Sequence, residues 1–174
     1  MVGLYCDFLT KQEQSTANIL GSMLKQLACR GGGIPVQIRD AFQKAKKGLG
    51  GRNLLPPRMV DILKETIASL PRLFICVDAL DECTPTHRRG LLVSLRELVA
   101  VSPNIRVFLT GRPHIEGEIM ERFSQAVRIP LSPAHNDIKS YLEMRLDNDD
   151  GPDAMDEELR ADIMRVIPEK VSEM

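Results

Sequence analysis

Five apolar residues in a row, Leu73-Phe74-Ile75-Cys76-Val77, run straight into Asp78, and they limit the fold of this 174-residue chain more than any other stretch. The run has no polar alternation and is flanked by helix-patterned segments. It therefore predicts a strand buried on both faces, as in a parallel sheet. Ile105 to Leu109 reads as another buried strand, and Val2 to Phe8 and Val127 to Leu131 are two further β-prone stretches. Between them lie apolar stripes at helical spacing: Leu20, Met23, Leu24, Leu27 and Ala28; Ile38, Ala41, Phe42 and Ala45; Met59, Val60, Leu63, Ile67 and Leu70; Leu91, Leu92, Leu95, Leu98 and Val99. Strand and helix in alternation predict a parallel α/β sheet.

Punctuation supports the same division. Thr10-Lys11-Gln12-Glu13 has capping-box spacing and predicts the start of the first helix, which Gly31 to Gly33 would stop. Gly48, Gly50 and Gly51 read as a loop, Pro56-Pro57 opens a helix, and Thr84-Pro85 sets an N-cap before proline at the first helical position. A short helix with Ile115, Ile119, Met120 and Phe123 follows the Ile105 strand. Beyond Ser132-Pro133 the alternation breaks, predicting two helices (Ile138 to Leu146, Leu159 to Ile167) around an acidic break from Asp147 to Asp153. The expected organisation is a partial doubly wound parallel sheet over residues 1–132 and a helical extension over 133–174.

Composition removes several classes of function. A net charge of −1 provides no field to steer the chain onto nucleic acid, and no tryptophan is present to build a stacking platform. No apolar run approaches the roughly 20 residues that span a bilayer. The start lacks the basic and apolar regions of a secretory signal, so a cytoplasmic location is expected. Cys6, Cys29, Cys76 and Cys83 show no C-x-x-C spacing, which argues against zinc and for a reducing compartment. Cys6 and Cys76 lie within strand-like runs and read as small buried hydrophobes.

In open α/β sheets, ligands bind beyond the carboxyl ends of the strands. There the chain has Asp78, Asp81 and Glu82 after one strand, and Thr110 and Arg112 after another. A strand-end aspartate can anchor hydrated Mg²⁺, a second carboxylate can orient an attacking water, and an arginine fork matches a phosphate. The same residues serve equally well as a turn, a helix cap and a surface arginine, and spacing alone leaves both readings open.

Leu73 to Glu82 resembles the Walker B segment of NACHT-type STAND P-loop NTPases, which places a small residue after the metal aspartate and then Asp-Glu. Ile105 to Pro113 is similar to the sensor strand of that family and ends in its Thr-x-Arg-Pro pattern. The match is to the nephrocystin-like N-terminal domain of fungal NACHT proteins, which carry ankyrin, TPR or WD repeats downstream, and it extends over residues 2 to 150. This resemblance implies Asp78 as the Mg²⁺-associated residue and Asp81 or Glu82 as the catalytic, water-positioning acid. Thr110 and Arg112 would face the phosphates of ATP or GTP, and the helices after Ser132 would begin a lid. The implied role is nucleotide-dependent oligomerisation in signalling, with other NACHT-type domains or repeat-domain partners, and without nucleic acid or membrane.

The phosphate loop G-x-x-x-x-G-K-[ST] is absent from the chain: no glycine is followed by lysine. In the resembling family that loop precedes the segment at which this sequence starts, and its strand lies between those ending at Leu109 and near Val127. The expectation is a domain that cannot hold nucleotide by itself, whose neighbouring strands either close over the gap or leave an unpaired edge. A non-catalytic scaffold is the alternative. A metal-dependent hydrolase built on Asp78, Asp81 and Glu82 lacks the additional ligands that it needs, and His87, His114 and His135 read as helix-start or loop residues.

Overall fold

The computed structural model describes residues 1–29, 33–47, 54–132, 134–148 and 156–172, which form two compact units, Met1–Ala126 and Val127–Met174. The glycine loops expected at 31–32 and 48–51 and most of the acidic break lie outside the described residues. No described helix is long and apolar enough to cross a membrane.

The first unit holds a three-stranded parallel sheet in the order β1 (Val2–Tyr5), β2 (Leu73–Asp78), β3 (Ile105–Leu109). Val2 pairs with Ile75 and Leu73 with Ile105, which brings the carboxyl ends of all three strands to one rim. Helices α1 (Thr16–Ala28), α2 (Val36–Lys47), α3 (Pro56–Ala68), α4 (Pro85–Val101) and α5 (Glu116–Arg122) complete the unit. The core is built where β-strand period meets helix stripe. Val2, Leu4, Leu73, Ile75, Val77 and Ile105 pack with Leu20, Met23, Leu63, Ile67, Leu91 and Leu95, all buried.

Local signals account for most boundaries. The Ser15 hydroxyl accepts from Asn18 N at 3.2 Å and so caps α1, which starts six residues after the expected Thr10 box. Of that box only Thr10 lies in a 3₁₀ turn, Phe8–Thr10, which is capped by the Asp7 carboxylate accepting from Leu9 N at 3.0 Å, and residues 11–13 continue as a turn. Asp7 wins because its short side chain satisfies a turn amide close by, whereas a capping box needs a longer helix to follow. Thr84 caps α4 as expected, accepting from His87 N at 3.4 Å. On α4, Gly90 lets α1 come close: a Cβ there would sit 2.6 Å from Thr16 Oγ1. Thr16 in turn donates to the His87 carbonyl at 3.1 Å.

The structure corrects several expectations. β2 is not buried on both faces. Its residues alternate, with Leu73, Ile75 and Val77 buried while Phe74 and Asp78 are exposed and Cys76 is half-buried. The helices of this unit cover one face of the sheet, and the other presents Tyr5, Phe74, Cys76 and Phe108. Phe74 and Phe108 rest against each other there at 6.2 Å between ring centroids. β1 ends at Tyr5, so Cys6 and Phe8 lie beyond it. Phe42 and Val99 are exposed on their helices, and Leu70 lies past the end of α3.

Val127 to Leu131 forms no strand, and Leu131 is 86% exposed. A strand needs a neighbour for its backbone, and alternating apolar residues alone provide none. Both ends of the sheet order are edges among the described residues, and each is blunted by a side chain. Gln26 clasps Gly3, accepting from its N–H at 3.0 Å and donating to its carbonyl at 2.7 Å. Arg106 Nη1 donates to the Ile105 carbonyl at 2.9 Å. Such contacts occupy groups that an unguarded edge offers to another chain.

The second unit contains α6 (His135–Asp147) and α7 (Glu157–Ser172), which pack on each other. They match the two expected helices. Arg160 Nη2 and Asp147 Oδ1 form an ion pair at 2.5 Å.

Candidate functional site

The rim where β2 and β3 end gathers all five residues singled out by the sequence. Parallel pairing runs through Val77 and Leu109, and the Thr110 N–H then donates to the Val77 carbonyl at 2.9 Å. The two strands therefore leave the sheet side by side. Asp78 closes β2, and its carboxylate accepts from the Thr110 hydroxyl at 2.5 Å. The same hydroxyl oxygen accepts from Ala79 N at 2.9 Å. Thr110 thus straps the end of β3 to the turn after β2.

That turn is sharp because Ala79 takes a left-handed backbone, φ 53° and ψ 46°. A residue with a Cβ does this at a cost of roughly 1–2 kcal/mol. The anchored N–H, together with Leu80 N donating to the Thr110 carbonyl at 2.9 Å, holds it there. The chain then enters a single 3₁₀ turn, Leu80–Glu82, with Leu80 buried beneath it. This geometry aims Asp81 and Glu82 at β3.

Arg112 meets them. Its backbone N–H donates to Asp81 Oδ1 at 3.3 Å, its Nε lies 3.5 Å from Asp81 Oδ2, and its Nη2 lies 3.3 Å from Glu82 Oε1. The Asp81 side chain is only 5% exposed, whereas that of Arg112 is 71% exposed. Gly111 leaves room for Ile115, since a Cβ there would fall 2.6 Å from Ile115 Cδ1, while Asp81 Oδ1 would remain at an ordinary 3.4 Å. The ion pairs are solvent-facing on the arginine side, so each contributes at most about 1 kcal/mol. Their main effect is placement: Arg112 is already bracketed by two carboxylates.

Beside this cluster opens a shallow cleft of about 510 Å³ lined by Phe8, Lys11, Asp81, Glu82, Arg112 and His114. Lys11 places its ammonium 3.7 Å from the centroid of the Phe8 ring. Sequence reading missed Phe8 and Lys11 as site residues. The signal was their position just beyond the carboxyl end of a strand, but Phe8 reads as part of that strand and Lys11 as part of a capping box. His114 lines the cleft from a 3₁₀ turn, His135 starts α6, and His87 sits in the first turn of α4 with its Nδ1 buried and without a hydrogen-bond partner.

Hydrated Mg²⁺ takes one or two carboxylates beside its waters; Asp78 and the Thr110 hydroxyl are the candidate oxygens at the strand ends, and they are hydrogen-bonded to each other. Among the described residues no group of three or more His, Cys, Asp and Glu side chains could hold an ion. A triphosphate is served less well. It asks for several backbone amides and a lysine, and the cleft offers Arg112, already paired, and Lys11, lying on Phe8.

Comparison with known proteins gives one finding. The family model described as Nephrocystin 3, N-terminal, matches residues 1–112, from the first strand through Arg112. No curated protein matches the chain. Nor does any solved structure.

Proposed function

Because the chain belongs to the nephrocystin 3 N-terminal family, we propose that it supplies the metal-and-sensor half of a NACHT-type nucleotide switch that controls oligomerisation. Asp78 and Thr110 make the side that would hold hydrated Mg²⁺. Asp81 and Glu82 are the acids positioned to orient water, and Arg112 is the cation that reads a terminal phosphate. ATP or GTP is the expected ligand class, and other NACHT-type domains or repeat-domain proteins are the expected partners. The observation that carries this reading is the convergence of all five residues on one rim, with Arg112 held by Asp81 and Glu82. A phosphate arriving at Arg112 competes with those carboxylates for its guanidinium, which couples ligand to the acidic turn.

The phosphate cradle is not in this sequence. Hydrogen bonds to charged groups contribute about 1.5–3 kcal/mol each, so lacking even three costs roughly 4–9 kcal/mol. At ~1.4 kcal/mol per decade, that is about three to six decades of affinity. Titration calorimetry of the chain with Mg-ATP and with Mg-GTP is therefore expected to show no micromolar binding. A micromolar Kd would overturn the assignment of this chain as only half of a pocket.

One observation favours a second reading, a non-catalytic scaffold. The bare sheet face with Tyr5, Phe74 and Phe108 is an unusual exposure for a parallel sheet and suits protein contact. Asp78→Asn separates the two: it is expected to abolish the biological activity if the domain is a switch and to leave it intact if it is a scaffold.

A further inference from the structure

Two thiols meet beside the acidic turn. Cys6 is the first residue past β1, Cys83 directly follows Glu82, and their sulfurs lie 3.0 Å apart although 77 positions separate them in the chain. Cys83 is buried and Cys6 half-buried. The fold holds both backbones: Cys6 N donates to the Asp78 carbonyl at 3.0 Å, and Arg88 Nη1 donates to the Cys83 carbonyl at 3.1 Å. Arg88 is fixed in turn by Glu118, with Nε 2.7 Å from Oε2. Gln14 Oε1 lies 3.7 Å from the Cys83 sulfur.

The surroundings differentiate the two sulfurs. The hydrogen bond to Cys83 pushes the Cys6 thiol up, as do burial and the Asp78 and Asp81 carboxylates. The hydrogen bond from Cys6 pulls Cys83 down, helped by the Arg88 guanidinium and opposed by burial and Asp81. The surroundings therefore favour the thiolate on Cys83 over that on Cys6. Two buried small hydrophobes would fill the same space, but that role requires neither sulfur contact nor this asymmetry.

We propose that Cys6 and Cys83 are a peroxide-reactive dithiol that closes to a disulfide between the end of β1 and the acidic turn. The Cys83 thiol first gives its proton to solvent; the thiolate then attacks one oxygen of hydrogen peroxide, the O–O bond breaks, Cys83 becomes a sulfenic acid, and the released hydroxide takes up a solvent proton as water. The Cys6 sulfur then attacks the sulfenic sulfur. An S–S bond forms, the S–O bond breaks, and hydroxide leaves with the Cys6 proton as a second water. Two thiols lose two electrons and two protons, and one peroxide becomes two waters. The product pins the residues next to Asp81 and Glu82 to the turn that carries Phe8, so both walls of the cleft are tied together. This inference stands whether or not the cleft takes a nucleotide.

The test is to expose the reduced chain to hydrogen peroxide, alkylate the remaining thiols with iodoacetamide, and map the products by mass spectrometry without reduction. One internal Cys6–Cys83 link is expected, two hydrogens lighter than the dithiol and reversed by dithiothreitol, with Cys29 and Cys76 alkylated. Closing a loop of this length makes unfolding less favourable by about a thousand-fold, read as a higher urea midpoint for the oxidised chain. The double variant Cys29→Ser, Cys76→Ser keeps the link, and Cys6→Ser leaves Cys83 to oxidise alone. The proposal is overturned if Cys6 and Cys83 are both alkylated under conditions that oxidise Cys29. It is equally overturned if the double variant fails to form the link.

Discussion

The two faces of the central sheet obey different rules although they share the same strands. On one face Val2, Leu4, Leu73, Ile75 and Val77 disappear under α1, α3 and α4. On the other, Tyr5, Phe74 and Phe108 look outward, Phe108 with 55% of its surface exposed. The open face mixes these aromatics with Asp78 and Arg106, whereas the covered face is wholly aliphatic, so residue character and helix cover coincide. The consequence of substitution differs as well, because burying an apolar group stabilises only where a partner covers it.

The largest effect is expected on the covered face. Ile75→Ala removes a fully buried side chain from the central strand and is expected to cost about 2–5 kcal/mol, read from urea unfolding of the purified chain. Next comes the helix layer over that face. Gly90→Val forces a side chain into Thr16 and is expected to cost roughly 1–3 kcal/mol, the usual penalty for overpacking. Smallest is the bare face: Phe108→Ser loses its contact with Phe74, an interaction of about 0.5–1.5 kcal/mol. The same substitution should lower binding of an apolar fluorescent dye by the native state. If Phe108→Ser destabilises as much as Ile75→Ala, the two faces are not distinct, and something covers the aromatic side in solution.

Much of the first unit could be read from residue patterns, and for physical reasons. The stripes Leu20-Met23-Leu24-Leu27 and Leu91-Leu92-Leu95-Leu98 predicted buried helix faces because apolar residues recurring at a 3.6-residue period fall on one side of a helix. The strand-end residues Asp78, Asp81, Glu82, Thr110 and Arg112 could be placed at one rim because parallel strands end together. Whether a strand is covered on one face or two depends on helices elsewhere in the chain, and no local pattern in Leu73 to Val77 encodes that. The failed strand at Val127 to Leu131 teaches the same lesson, since β propensity is a preference that only a hydrogen-bonded neighbour realises. The contact between Cys6 and Cys83 was invisible for a third reason: it arises from tertiary register between segments 77 positions apart, and neither cysteine lies in a recognisable spacing.

Ala79, the left-handed alanine at the end of β2, has a further consequence for how this rim can be manipulated. An alanine held in a mirror-image backbone is a hinge pin already under load, so exchanging it for glycine loosens the aim of Asp81 and Glu82 without removing a single charge. That one methyl group separates the chemistry of the acids from their direction, and it offers a way to mistune the rim while leaving its composition whole.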